Sequence, residues 1–227
     1  MNKKRIIKLS LVPLTGLFLQ LLSFNSLSAE QNPVSSYLYK GNNVPGWTLS
    51  IGNGLGWFVP VKDQKAKTKR KNLTVKPVDK DGENDALNIT WKGKKVKGQW
   101  GGNMLHDSSF TISRNNIDIS SIKDAAALVL DMKILRKPNE ATTISMSCKN
   151  NNKCAGKYPL KAVLRRLPTD EWFTLPIPLA CFKNTESGEL DFSKVTTAMS
   201  IATQGKLEIE LANVALAALP PGKTGCN

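Results

Sequence analysis

The feature that most constrains this chain is strand-like alternation, seen twice in its last quarter. In W-F-T-L-P-I-P-L, residues Phe173, Leu175, Ile177 and Leu179 share one parity, and Trp172, Thr174, Pro176 and Pro178 the other. In K-L-E-I-E-L-A-N-V-A-L, residues Leu207, Ile209 and Leu211 share a face; the apolar parity then slips by one, to Val214 and Leu216. A period of two gives a strand one buried and one wet face. The slip at Ala212-Asn213 predicts a β-bulge, in which one extra residue re-aims the strand. Neither strand carries reaction chemistry, so the sheet reads as a platform.

The alternation recurs upstream in Trp47-Leu49-Ile51, Trp57-Val59-Val61, Leu73-Val75 and Leu87-Ile89-Trp91. It continues in Phe110-Ile112, Leu128-Leu130-Met132-Ile134 and Ile144-Met146-Cys148. Clusters of Gly, Pro, Asn and Asp separate these runs at roughly regular spacing, which predicts an all-β sandwich or jelly roll. One segment breaks the pattern. In P-L-K-A-V-L-R-R-L-P, residues Leu160, Val163, Leu164 and Leu167 have helical spacing, with Pro159 placed for a first turn and Pro168 as a stop. This predicts one short helix across an end of the sandwich.

The first residues read as an address. Lys3, Lys4, Arg5 and Lys8 precede a mostly apolar run from Leu11 to Leu22, and Ser26, Ser28 and Ala29 are small. Those three parts make a secretory signal, expected over 1–29 with cleavage after Ala29. The apolar core is shorter than the roughly 20 residues of a spanning helix. The expectation is a periplasmic or secreted protein, with no membrane span in the mature chain. Residues 30–44 are polar and read as a linker, 45–219 as one domain, and 220–227 as a tail.

An oxidising compartment makes the four cysteines a disulfide question. Cys148 and Cys154 flank the polar turn K-N-N-N-K and are the expected pair, which leaves Cys181 with Cys226. No C-x-x-C spacing supports a metal site. Net charge is +14, and removing the four basic residues of the leader leaves +10. Residues 62–72 hold six basic side chains and one acid, and 92–98 hold four basic side chains. Such clusters attract anions through their summed field. A carbohydrate or an anionic envelope glycan is the expected partner; export and the lack of a nucleic-acid motif argue against nucleic acid.

Several motifs, in order, resemble the ExoP-type galactose-binding-like domain found at the C-terminus of bacterial family-3 glycoside hydrolases that attack β-glucans. They are G-W-T-L-S-I-G-N-G-L-G-W (46–57), Asp85-Ala86 before I-T-W-K-G (89–93), the Cys148…Cys154 loop and L-K-A-V-L-R-R-L-P (160–168). W-F-T-L-P-I-P-L-A-C-F (172–182) and A-T-Q-G-K-L-E-I-E-L-A-N-V-A-L (202–216) complete the set. The resemblance implies a jelly-roll β-sandwich with a carbohydrate-associated role. It also implies that the catalytic carboxylates belong to other domains, so no catalytic residue is assigned here.

The residues themselves agree with a binding role. His106 is the sole histidine and no G-x-S-x-G elbow accompanies it. D-K-D-G-E-N-D (79–85) has the alternating acids of a calcium loop without its terminal Glu, so structural calcium is a minor expectation and no other cofactor is expected. Tryptophan is the natural sugar-stacking side chain. Trp47 and Trp91 share parity with core residues. Trp100, in K-G-Q-W-G-G-N, is the first candidate for a ligand contact, with Gln99 and Asn103 supplying hydrogen bonds and Trp57 as a rim aromatic. Trp172 stands opposite the apolar face of its strand, near an edge.

The chain therefore reads as a non-catalytic, exported carbohydrate-binding module. The alternative is a protein-interaction module that docks onto a separate exported glycoside hydrolase or envelope complex. Two disulfides predict that the unfolded, unreduced mature protein titrates no free thiol; two or more per chain would refute the pairing.

Overall fold

The computed structural model describes residues 35–53, 57–97, 103–104, 106–148, 153–184, 188–219 and 226. The expected leader lies outside them. Two antiparallel sheets enclose one hydrophobic core. The larger runs, from one edge, β14 (Trp172–Pro178), β11 (Ala126–Arg136), β17 (Lys206–Ala218), β7 (Ala86–Lys92), β6 (Leu73–Val78) and β5 (Ala66–Lys67). Two further strands extend it: β1 (Ser36–Tyr39) pairs with β17, and β2 (Asn42–Asn43) pairs with β1. The smaller sheet runs β15 (Lys183–Asn184), β13 (Ala155–Pro159), β12 (Thr142–Cys148), β16 (Val195–Thr203), β10 (Ser108–Ile117), β3 (Thr48–Asn53) and β4 (Trp57–Pro60). A separate ribbon joins β8 (Val96–Lys97) to β9 (Asn103–Met104).

The expected alternation is realised. Leu128, Leu130, Met132 and Ile134 of β11 face Phe110, Ile112, Ile144 and Ile201 of the other sheet within one buried cluster. Each such aliphatic or aromatic side chain contributes about 1.5–3 kcal/mol by leaving water. Trp47 and Trp91 are core residues, as their parity predicts, and Trp91 Nε1 donates to the Ser108 carbonyl at 2.8 Å.

The expected bulge is present on β17. Asp131 of β11 opposes Asn213 and Met132 opposes Leu211, so Ala212 is the extra residue. The bulge divides one edge of β17 between two partners. Lys206–Leu211 pair with β7, and Val214–Ala215 pair with β1. The Ala212 carbonyl accepts from Gly41 N–H at 2.8 Å, and Asn213 Oδ1 accepts from Lys40 N–H at 2.9 Å. Gly41 has φ +69°, and a Cβ there would lie 2.9 Å from the Ala86 backbone. Only glycine lets the β1–β2 turn pass so close to β7.

That arrangement departs from the expectation of a linker over 30–44. Polar spacing around Pro33 and Asn42-Asn43 hides a four-residue strand in which Tyr37 and Leu38 are fully buried. Tyr37 packs edge-on against Trp47, ring centroids 4.4 Å apart. A strand this short carries too little periodicity to be read from sequence.

Helix α1 spans Lys161–Arg166, with Leu160 and Leu164 in the core. It starts later than its sequence suggests. Pro159 ends β13 and precedes the helix, because its position is held by pairing with Thr143. Leu167 turns extended at ψ 155°, as the residue before Pro168 must. The disulfides are the expected ones, Cys148–Cys154 and Cys181–Cys226. In the chain-entropy picture the longer closure contributes about 4 kcal/mol.

The 79–85 loop is built around Asp85. Its carboxylate accepts from the backbone N–H groups of Lys80 at 2.6 Å, Asp81 at 3.0 Å and Gly82 at 2.9 Å. Asp79 accepts from Asn84 N–H at 2.7 Å. Two of the acids suggested for calcium thus serve as internal acceptors, and the loop they shape presents Lys80. Burial alone would push the Asp85 carboxyl up, but the backbone donors hold it below the ordinary 3.8.

Both junctions can be tested by substitution. Gly41→Ala is expected to destabilise by about 2 kcal/mol or more, through the left-handed backbone and the clash with β7; denaturant titration measures it. A carboxyl whose folded pKa is depressed contributes stability above its unfolded value and loses it as pH falls through its folded one. Asp85→Asn is therefore expected to lower the melting temperature at pH 7, with the gap to wild type narrowing below pH 3.8.

Candidate functional site

The wet parity of the larger sheet carries an unusual set of side chains. On β11 the outward residues are Val129, Asp131 and Lys133. On β17 they are Glu208 and Glu210 before the bulge and Asn213, Ala215 and Ala217 after it. Register aligns Trp172, Lys133, Glu210 and Asn88 in one row across four strands. Thr174, Asp131 and Asn213 form the next.

This face is recessed. Asn88 is 2% exposed and Glu210 7%, although both point away from the core. A recess of about 390 Å³ lies over Val129, Ala215 and Ala217, walled by Tyr39, Lys80, Asp131, Thr174 and Asn213. That volume is in the range of small-ligand sites. Tyr39, at the end of β1, is half exposed at its rim.

Charge in the recess is internally matched. Lys80 Nζ lies 2.6 Å from Asp131 Oδ2 and 3.5 Å from Asp81. Asn213 Nδ2 donates to the same Asp131 oxygen at 2.9 Å. The bulge residue therefore ties the sheet junction to the recess. Lys133 Nζ meets Glu210 Oε2 at 2.5 Å as an ion pair, without the alignment of a hydrogen bond. Burial would pull the Lys80 ammonium down; its hydrogen bond and charge contact with Asp131, helped by Asp81, hold it above its ordinary value. Both ammonium groups also lie at the Trp172 ring, 5.0 and 5.3 Å from its centroid. Such contacts contribute about 0.5–2 kcal/mol each and fix the ring. Beside this row, Glu208 Oε1 accepts from Asn88 Nδ2 at 3.2 Å and from Thr90 at 3.4 Å.

A fixed indole, a half-exposed phenol and adjacent carboxylate, amide, hydroxyl and ammonium groups are the chemistry that matches a sugar. Rings supply apolar faces, and the polar atoms supply donors and acceptors for hydroxyls. The carboxylates Asp131 and Glu210 each already face a lysine, which suits them to accept hydrogen bonds.

Two of the four sequence candidates are described. Gln99 and Trp100 lie outside the described residues. Asn103 is placed on β9 opposite Lys97, and Trp57 on β4 opposite Asn53, by backbone only. Trp57 thus belongs to the smaller sheet, away from the recess. His106 is half-buried, and its Nε2 has no hydrogen-bond partner among the described residues. No three His, Cys, Asp or Glu gather as metal ligands among the described residues. The missed residues did leave a signal: Trp172, Asp131, Lys133, Glu208 and Glu210 all occupy wet parity in strongly alternating strands. Strand order, which brings them together, is not visible in the parity.

Comparison with known proteins places this fold. The family described as galactose-binding domain-like, Exop_C, matches residues 46–216. No curated protein sequence matches the chain. Among solved structures, the extra C-terminal domain of exo-1,3/1,4-beta-glucanase (ExoP) from a Pseudoalteromonas species superposes with a TM-score of 0.62 at 18% identity. The alignment covers 83% of this chain and 94% of that domain. Against the whole glucanase the TM-score is 0.61 at 18% identity, again over 83% of this chain, and the match spans only 21% of the enzyme. A family 30 carbohydrate-binding module from the Clostridium thermocellum cellulase CEL9D-CEL44B gives 0.50 at 15% identity, over 75% of this chain and 90% of the module. The sandwich is a galactose-binding-like jelly roll with carbohydrate-binding-module neighbours. The chain belongs to the Exop_C family of galactose-binding domain-like proteins.

Proposed function

We propose that this chain is a non-catalytic, exported carbohydrate-binding domain that holds a polysaccharide on the outer face of its larger sheet, between Tyr39 and Trp172. The observation that carries the reading is the recess itself: Tyr39 stands at its rim, and Lys80 in its wall lies 5.0 Å from the centroid of the Trp172 ring. The smaller sheet offers less. Its outer row of Ser145, Ser200, Thr111 and Ser50 is small-hydroxyl chemistry, and Thr111 and Ser200 already bond each other at 3.0 Å. Relatives named for carbohydrate binding and for a β-glucanase support a polysaccharide ligand. Two disulfides support an oxidising, extracytoplasmic location, periplasmic or secreted.

Docking onto a separate glycoside hydrolase draws support from the relative that is one part of a larger enzyme. It is the weaker reading. The exposed large hydrophobics among the described residues are Tyr39, Phe58 and Ile122, which sit on separate elements and form no shared patch.

Affinity electrophoresis of the mature protein in mixed-linkage β-glucan, xylan, chitin and peptidoglycan tests the reading. Retardation is expected in at least one gel. Tyr39→Ala and Trp172→Ala are each expected to weaken it about tenfold, equivalent to ~1.4 kcal/mol. Retardation lost instead in Trp100→Ala, with the other two unchanged, would move the site to the β8–β9 connection.

A further inference from the structure

One end of the larger sheet concentrates positive charge far beyond the rest of the described surface. The β5–β6 turn carries Lys67, Lys69, Arg70 and Lys71, and the chain leaving β7 carries Lys92, Lys94 and Lys95. Lys206, opening β17, is the register partner of Lys92. All of these are exposed. The fold holds the segments together. Lys92 N–H donates to the Asn72 carbonyl at 2.9 Å, and Asn72 Nδ2 donates to Ser108 Oγ. Gly93, at φ +57°, packs so closely on Gly205 and Lys206 that a Cβ would lie 2.9 Å from the Gly205 carbonyl carbon. The described ion pairs of the chain involve Lys80, Lys133 and Lys194, so none of these cations has an acidic partner among the described residues. Like charges held together without counter-charges lower the cost of bringing in an anion and raise its local concentration.

The cluster lies along the same strands as the Trp172–Lys133–Glu210–Asn88 row, with Glu208 between. Along β17 the outward positions run Glu210, Glu208, Lys206, so Lys206 and Lys92 lie two steps from the Trp172–Lys133–Glu210–Asn88 row. At about 6.7 Å per two residues that is roughly 13 Å. A polymer lying along the strands from Trp172 reaches the cations within a few sugar units.

We propose that the polysaccharide held by this domain is acidic, and that its carboxylate or sulfate groups are read by the basic end formed by the β5–β6 turn, the 92–95 segment and Lys206. This rests on the recess being the glycan site. One observation favours a glycan over a bilayer: Phe58, on β4 beside β5, is a single exposed ring among the described residues, short of the apolar face that enters a membrane. Nucleic acid is set apart by the oligonucleotide arm of the test.

The test uses the mature protein and four probes: polygalacturonate, neutral mixed-linkage β-glucan, anionic phosphatidylglycerol vesicles and single-stranded oligonucleotide. Binding is measured at about 20 and about 300 mM NaCl, which spans weak to strong screening. The proteins are wild type, Tyr39→Ala/Trp172→Ala, and a variant with Lys69, Arg70, Lys94 and Lys95 each changed to Glu. Polygalacturonate is expected to bind at least about tenfold more tightly than the neutral glucan at low salt, and to lose that margin at high salt. The charge-reversed variant is expected to lose the same margin while keeping its melting temperature and its affinity for the neutral glucan. Equal affinity for the two glycans, no polygalacturonate binding at low salt, or an unchanged margin in the charge-reversed variant overturns the proposal. Vesicles or oligonucleotide binding as tightly as polygalacturonate would also overturn it, as an unselective polyanion surface. Failure of the recess reads differently: the Tyr39→Ala/Trp172→Ala variant would then retain full affinity for every glycan.

Discussion

The extra residue at Ala212 organises both the sheet and its recess. Without it, the edge of β17 would continue in register against one neighbour, and β1 would have no place beside β7. With it, Asn213 turns its side chain to the outer face, accepting from Lys40 N–H and donating to Asp131. Asp131 in turn holds Lys80, and Lys80 helps to hold the Trp172 ring. A single irregularity in a thirteen-residue strand is thus linked by consecutive contacts to the Trp172 ring. Bulges serve this way because they re-aim a side chain without breaking the surrounding ladder.

Most of the fold is legible in the chain because burial on one face imposes a period of two, and that period survives in β11, β12 and β17, though not in β16, which is buried through its first five residues. The bulge is legible for the same reason: Leu211 and Val214 break parity by one residue. What escapes is local or combinatorial. The Ser36–Tyr39 strand is too short to show a period, and its polar flanks imitate a linker. Pro159 is compatible with a first helical turn, but its cross-strand pairing with Thr143 decides the matter. The recess is assembled from β1, β11, β14 and β17 and the 79–85 loop. Parity says that Asp131, Lys133 and Trp172 face outward, but only strand order makes them neighbours. Search by residue type leads to Trp100, where flanking glycines suggest an open ring and which lies outside the described residues.

The recess and the basic end are surfaces of different kinds. In the recess, charges are paired and partly withdrawn from water, which favours close, geometry-dependent contacts with uncharged hydroxyls. At the far end of the same strands, cations are solvated and unpaired, which favours long-range attraction sensitive to salt. On the proposed reading, the two kinds of surface in series along one sheet direction would draw a polymer in by one and hold it by the other.

The outermost strand beside the groove, β14, carries Pro176 and Pro178 two residues apart. A proline in a paired border strand sits where its missing N–H would have pointed to solvent. Along this stretch the sheet therefore lacks the donors that another polypeptide would need to add itself as a further strand. The edge along Pro176–Pro178 is thus closed to backbone recruitment, so this border of the sheet resists extension by a second molecule of its own kind.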